Sequence, residues 1–397
     1  MLQTEVLIAG AGPVGAIGAV RLASMGVDVI CCEKTDSFAS DLRASTFHPV
    51  TVEMLDQVGA AAPLIERGLK APVYQWRDRR SGQFRNFDMA EIADATRFPF
   101  RLQCPQHHMA AMLTDHLPTL ANADMRFGTT LVAAREDGEG VVATVMRDGR
   151  EEEIRTKFLI GADGARSTVR SIMDVPFDGF TYEEKFVSIS TAHPIEQTLT
   201  DIEYVNYIAD PDEWLVLLRV PELWRILVPA AVDADNDALL SDESVAAIFD
   251  RIVPGVPIET VFRKIYRVHQ RVARSFHKGR MMLVGDAAHL NNPLGGFGMN
   301  SGIHDVWNLA DKLWSILRKD GDAALLERFD RQRRGITTAF IQAQSIENKA
   351  FMEHGAGESH QGRMDKMEAI AADPALRRHY LLKQAMIQSL ADADKIA

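Results

Sequence analysis

The sequence predicts an α/β protein with a Rossmann-like nucleotide-binding domain on a parallel sheet, an interleaved domain whose sheet is mainly antiparallel, and C-terminal helices. Three observations carry this. A strand, a glycine turn, a helix, a second strand and an acid follow one another over residues 5–33. Between residues 177 and 268, β-type runs succeed one another with almost no helix between them, which implies antiparallel pairing. Past Asn300 the apolar spacing is helical.

In chain order, residues 5–9 are a short apolar β run leading into Gly10-Ala-Gly12-Pro13-Val14-Gly15, then a helical pattern through Ala16, Val20, Leu22 and Ala23. A second β run over residues 27–32 ends in Glu33, with Lys34 beside it. Gly10 makes the turn, Gly12 lets a pyrophosphate reach the backbone, Gly15 lets helix and strand pack, and Glu33 is placed for ribose hydroxyls. The fingerprint does not separate NAD from FAD, since both present an ADP half to the same glycines. Arg43 follows, readable equally as a phosphate ligand or a surface cation, and a helix is expected over residues 51–58, ending at Gly59. Residues 73–100 alternate apolar and polar with arginines between, as strands of a partly solvated sheet would. Gln103-Cys104-Pro105-Gln106 then opens a helix whose Met109, Met112, Leu113 and Leu117 share one face. Residues 125–132, 140–146 and 154–156 read as a β meander, and residues 158–160 resume an apolar strand.

That strand enters a second glycine loop, Gly161-Ala-Asp163-Gly164-Ala-Arg166-Ser167. Asp163 at a strand end and Arg166 near a helix start suit ligand hydroxyls and phosphates, although Asp163 or Ser167 could equally serve as a helix cap. Further β runs are expected at residues 186–190, 202–208, 214–220, 224–231 and 261–268, with a helix only over residues 242–252. Arg219 and Arg225 lie among these strands, where they could pair with a substrate carboxylate or simply sit at a solvated sheet edge. A third loop follows the apolar strand at residues 281–284: Gly285-Asp286, then Pro293, Gly295, Gly296 and Gly298 up to Asn300. Bare backbone there, with a helix beginning near Met299, points unpaired N–H groups at something electron-rich or anionic. The plain alternative is a loop that only turns the chain. Helical patterns then cover residues 303–317, 323–344 and 364–391, the last mostly polar and suited to packing or oligomer contacts.

Composition narrows the function classes. A chain of 397 residues with 46% hydrophobic content buries one large core or two moderate ones, and a formal net charge of -11 with pI near 5.6 argues against nucleic acid and against an anionic membrane surface. Three cysteines, Cys31, Cys32 and Cys104, form neither a disulfide framework nor a CxxC clip, which fits a reducing cytoplasm. His107, His108, His116, His354 and His360 lack an accompanying metal-ligand set, and His289 reads as a packing or hydrogen-bonding residue of the third loop. Glu5 and the glycine-broken apolar run at the start match neither a signal peptide nor a spanning helix.

The three loops in this order, Gly10 to Gly15, Asp163 to Arg170 and Gly285 to Asn300, resemble those of the single-component FAD-dependent aromatic hydroxylases, the p-hydroxybenzoate hydroxylase family. The resemblance covers nearly the whole chain. It implies an FAD-binding domain over residues 1–72, 101–176 and 269–345, a substrate domain over 73–100 and 177–268, and a C-terminal helical segment over 346–397. It implies that Gly10, Gly12, Pro13, Val14 and Gly15 hold the FAD pyrophosphate, that Glu33 and Lys34 meet the adenosine ribose, and that Arg43 and Gln106 join the cofactor site. Asp163, Gly164 and Arg166 would serve FAD and a passing nicotinamide nucleotide together. Gly285 and Asp286 would take the ribityl chain, and Gly296, Gly298, Met299 and Asn300 the flavin's pyrimidine edge, with Pro293 between flavin and substrate.

The chemistry so implied is hydroxylation of a phenolic or heteroaromatic, for example pyridine-type, small molecule. NADH or NADPH reduces FAD, dioxygen adds at flavin C4a, and the hydroperoxide passes an oxygen atom to the ring. His48, Tyr204 and Tyr207 are candidates for a base acting on a ring hydroxyl, each equally readable as an ordinary packed or surface residue. The expected protein is a cytoplasmic monomer or homodimer. Other FAD chemistry, such as epoxidation, ring cleavage or polyketide tailoring, is the alternative, and a non-catalytic flavin-binding redox partner a more distant one. The Trp-x-Trp-x-Ile-Pro signature of flavin halogenases is absent.

Overall fold

The computed structural model describes residues 2–37, 44–210, 213–352 and 360–397. The strand Leu2–Ala9 lies between two parallel neighbours, Val29–Cys32 and Arg150–Gly161. Beyond Val29–Cys32 comes Ala123–Arg126, and beyond Arg150–Gly161 comes Met281–Leu283, both parallel again. Helices cover this sheet, so Val6 to Ala9 are at most 3% exposed and read as an unbroken apolar run. The last run of the expected meander and the separate apolar strand after it are in fact one 12-residue strand, Arg150–Gly161. Its first half pairs antiparallel with Val141–Arg147, at a solvated edge where Arg155 and Lys157 broke the apolar pattern. Three neighbouring strands thus deliver their carboxyl ends, and the three glycine loops that follow them, to one edge of the sheet, where ligands of open α/β sheets bind.

The second sheet has eight strands in the order His289–Leu290, Phe262–Ala273, Phe177–Thr191, Leu223–Ala231, Leu215–Val220, Val205–Ala209, Val73–Asp78 and Phe84–Asp88. All neighbours are antiparallel except Val205–Ala209 beside Val73–Asp78. Phe177–Thr191 is far longer than the expected run at 186–190, because its outer residues are solvated and carry no apolar signal. Residues 202–204, expected as strand, lie outside Val205–Ala209. The third loop contributes His289–Leu290 to the edge of this sheet, so it physically joins the two sheets. A small third sheet of Thr46–Phe47, Arg101–Gln103 and Leu69–Ala71 closes one flank.

The helix Phe297–Arg318 begins two residues earlier than the sequence suggested, since Gly296 at φ +69° supplies the left-handed break. The helix expected over residues 323–344 is divided: Ala324–Ile336 runs through a π turn, Thr337–Gln342, into Ala343–Met352. The polar C-terminal segment forms His360–Ala372, Pro374–Gln384 and Ile387–Asp394, the middle one capped by Asp373. Its few apolar positions are used for packing: Met367, Leu381 and Met386 are at most 2% exposed, and Met367 and Leu381 pack in one apolar cluster with Tyr74, Trp76 and Phe87. No helix among the described residues is long and apolar enough to cross a membrane.

Candidate active site

The first loop is built by steric necessity. Gly10 has φ +95°, and a Cβ there would lie 2.4 Å from the Ala162 carbonyl oxygen; one on Gly15 would lie 1.8 Å from the Gly10 oxygen. These two glycines let the first loop abut the helix and the second loop. At Gly12 an added Cβ meets nothing within 4 Å, so its bare side faces open space. The helix Pro13–Ser24 starts there without a side-chain cap. Glu33 is tied to the loop it follows: Oε2 accepts from the Ala11 N–H at 3.0 Å, and Oε1 from the Thr35 N–H at 3.1 Å and its hydroxyl at 2.9 Å. Lys34 is exposed, and Arg43 lies outside the described residues. Gln106 is the first residue of the helix Gln106–His116 and faces a cavity, whereas Gln103 is buried against Thr46, whose hydroxyl donates to it at 3.0 Å.

In the second loop Asp163 Oδ2 accepts from the Thr168 and Val169 N–H groups at 2.7 and 3.1 Å, while its buried Oδ1 has no partner. Gly164, at φ +80°, borders the cavity; Arg166 is exposed and does not. The cation that links the loops is Arg170, which donates to the carbonyls of Ala287 and Ala165, each at 2.8 Å, and lies 4.0 Å over the Phe177 ring. Nothing in the local sequence distinguished the two arginines.

The third loop rests on a buried ionic cluster that the sequence reading missed. Asp305 is fully buried and takes His289 Nε2 at 2.6 Å, Arg333 Nε at 2.7 Å and the Gly285 N–H at 3.2 Å. Burial alone would raise its carboxyl, but His289 and Arg333 hold it down at about 2. Asn300 is equally committed: Oδ1 accepts from the His48 N–H at 3.0 Å, and Nδ2 donates to the carbonyls of Thr46 and Gly296 at 2.8 and 2.7 Å. Its side chain therefore pins residues 46–48 to the helix start, leaving only backbone to face a ligand. Phe297–Arg318, like Pro13–Ser24, has no side-chain cap, and Gly298 and Met299 of its first turn border the cavity.

That cavity, of about 520 Å³, lies between the loops and the second sheet. Gly12, Pro13, Val14, Gly164, Asp286 and Met299 border one side, with Tyr207, Leu218, Arg225, Leu227 and Tyr266 on the other. Two uncapped N-termini of long helices, a bare Gly12 and an unpartnered Asp163 oxygen suit a cofactor with phosphates and hydroxyls.

A family model for an FAD binding domain matches residues 3–344. The chain belongs to that FAD-binding family. Para-nitrophenol 4-monooxygenase of a Pseudomonas species is 29% identical over 95% of this chain and 94% of its own length. The 6-hydroxy-3-succinoylpyridine 3-monooxygenase of Pseudomonas putida is 25% identical over 89% and 90%. The crystal structure of p-nitrophenol 4-monooxygenase from Pseudomonas putida superposes with a TM-score of 0.90 at 27% identity, covering 97% of this chain and 99% of that one. The protein is a flavoprotein monooxygenase of the single-component aromatic hydroxylase type, with the mixed α/β architecture the sequence predicts.

Within the monooxygenase the candidate catalytic residues separate. Pro293 and Tyr207 border the cavity. Tyr204 is 40% exposed and does not. His48 is fully buried, its Nε2 hydrogen donated to the Gly295 carbonyl at 2.8 Å and its ring stacked on Phe297 at 5.6 Å. Burial, with the Arg101 charge nearby, pushes its pKa well down, and the residue does not border the cavity. Arg219 pairs with Glu196 at 3.8 Å outside the cavity, whereas Arg225 borders it and donates to the Ser45 hydroxyl at 3.0 Å.

Proposed function

We propose that this monooxygenase hydroxylates a phenolic or pyridine-type small molecule, using NADH or NADPH as electron donor. The observation that carries the reading is the cavity. Its flavin-side wall is made of glycine backbone and helix N-termini, and its opposite wall is an apolar sheet face with a few polar groups, Tyr207, Arg225 and Tyr266 among them. When bound, FAD supplies the redox chemistry that activates dioxygen for transfer to a ring.

The chain's own residues do the rest. In this reading Asp286, which borders the cavity, would hold the ribityl chain, and the amides of Gly298, Met299 and Asn300 would favour negative charge at the flavin's pyrimidine edge. Pro293 and Leu294 stand where cofactor and substrate meet, and the apolar walls Val216, Leu218 and Leu227 exclude water from the reacting ring. The test is a panel of phenols and hydroxypyridines scored by stimulated NAD(P)H oxidation, with product mass separating oxygen insertion from peroxide release. At least one member should give a product heavier by one oxygen atom; a complete panel giving only peroxide would sink the proposal.

A further inference from the structure

Strand register sets one row of side chains along the substrate-side wall. Tyr207 pairs with Val216, Val216 with Leu227, Leu227 with Ser188, and Ser188 with Lys264, across five strands. Directly opposed residues share a face of the sheet, and all five border the cavity. With strands about 4.8 Å apart, the row is about 19 Å long. The alternate positions Val187, Ile189 and Ile226 take the other face, in one apolar cluster with Val245 and Phe249 of the helix Asp242–Ile252. Exposure changes along the row: Val216 is 3% and Ser188 6% exposed, whereas Lys264 is open to solvent. The apolar stretch assigned above to the reacting ring ends at Leu227, and Lys264 stands two strands beyond it, about 10 Å away. A ring seated on that stretch leaves Lys264 out of its reach.

Charge is distributed unevenly between the two walls. The charged or titratable cationic residues that border the cavity from the sheet are Arg225, Lys264, Arg267 and His269, and none is acidic. The one carboxylate at the cavity among the described residues, Asp286, belongs to the opposite wall. In a chain of net charge -11 this is a local reversal of sign that favours an anion. Arg225 is engaged with the Ser45 hydroxyl, while the Lys264 ammonium has no partner among the described residues. An ammonium on a flexible stem acts as a point charge and demands no fixed orientation, which suits the end of a mobile chain better than a rigid ring substituent. We infer that the substrate is a ring carrying a flexible arm that ends in a carboxylate, and that Lys264 is the specificity-determining residue that receives the end of the arm. The inference rests on the aromatic-substrate reading above and narrows it to acids whose charge is held away from the ring.

The test uses the FAD-loaded enzyme and three acids, 4-hydroxybenzoate, 3-(4-hydroxyphenyl)propionate and 6-(4-hydroxyphenyl)hexanoate, each beside its neutral primary amide. Dissociation constants come from the perturbed flavin absorbance, so no turnover is needed. Wild type should prefer the acid over the amide in at least one of the two armed pairs, by about fivefold, the upper end for an ion pair at an exposed site. Lys264→Met should remove that preference and Lys264→Arg keep it, with the amide bound as in wild type and the 4-hydroxybenzoate pair unaffected. A preference that survives Lys264→Met, or that Arg225→Met abolishes while Lys264→Met does not, overturns the assignment. So does a loss in Lys264→Met that falls instead on the dissociation constant of NADH or NADPH, which would give the lysine to a nucleotide phosphate. A wild type that binds armed acids and their amides alike, or binds neither, overturns it as well. The hydroxylase reading falls separately, by the absence of any oxygenated product from the panel.

Discussion

At the scale of single residues, the cofactor side and the substrate side differ in how far they could be read from sequence. Gly12, Gly164 and Asp286 announce themselves through local rules, because a glycine turn at a strand end does its work within a few residues. Arg225 and Asp305 do not, since the partners that define them, Ser45 and Arg333, are 180 and 28 residues away in sequence. Two expectations belong here. Asp286→Ala should lower retained FAD and turnover together, read as flavin absorbance per protein after gel filtration; full retention with full turnover would remove Asp286 from the cofactor site. Asp305→Asn leaves Arg333 charged and uncompensated, so it should cost about 3–5 kcal/mol by urea unfolding. A cost near zero would show that the cluster relaxes without its carboxylate.

At the scale of elements, the site depends on two helices approaching the same loops closely. A Cβ on Gly302 would lie 2.7 Å from Val14 Cγ2 and 2.8 Å from the Gly285 Cα, and one on Gly18 would lie 2.4 Å from Val306 Cγ2. Glycine inside a helix normally costs about 1 kcal/mol relative to alanine, so Gly302→Ala ought to stabilise if propensity ruled. The close contacts rule instead. Gly302→Ala should lower the melting temperature and weaken FAD binding, because it pushes the helix Phe297–Arg318 off the Gly285 turn; a raised melting temperature with unaltered FAD affinity would refute this. The small-residue face was visible in the sequence only as a helical pattern. Which glycines face another backbone is decided by packing.

At the scale of the whole molecule, acid is the expected weakness. Burial, aided by the Arg333 charge, lowers His304 from its ordinary 6.5 to about 3. The folded state therefore holds it neutral, and the unfolded chain takes up the extra proton. Stability is complete above pH 6.5 and declines as pH falls toward 3, by up to about 1.4 kcal/mol per pH unit for this group. His48, also pushed down by burial, adds to the same fall. Asp305, lowered from 3.8 to about 2, adds a further loss between those values. Melting temperature should thus drop steadily from pH 6.5 to pH 4.5, with a shallower slope in His304→Asn, and a flat profile over that range would contradict the burial of these histidines.

By itself the sequence determined the fold class, the three glycine loops and their order along the chain. It could do so because tight turns, helix starts and buried parallel strands each impose requirements on residues close together in the chain. It did not separate Arg166 from Arg170, remove Tyr204 from the cavity or show that His48 is fully buried away from it. Those outcomes, like the alignment of Lys264 with Tyr207 and the Asp305 cluster, depend on which distant segment lies against a side chain. Burial and partner charge act through space, and only the tertiary structure decides them.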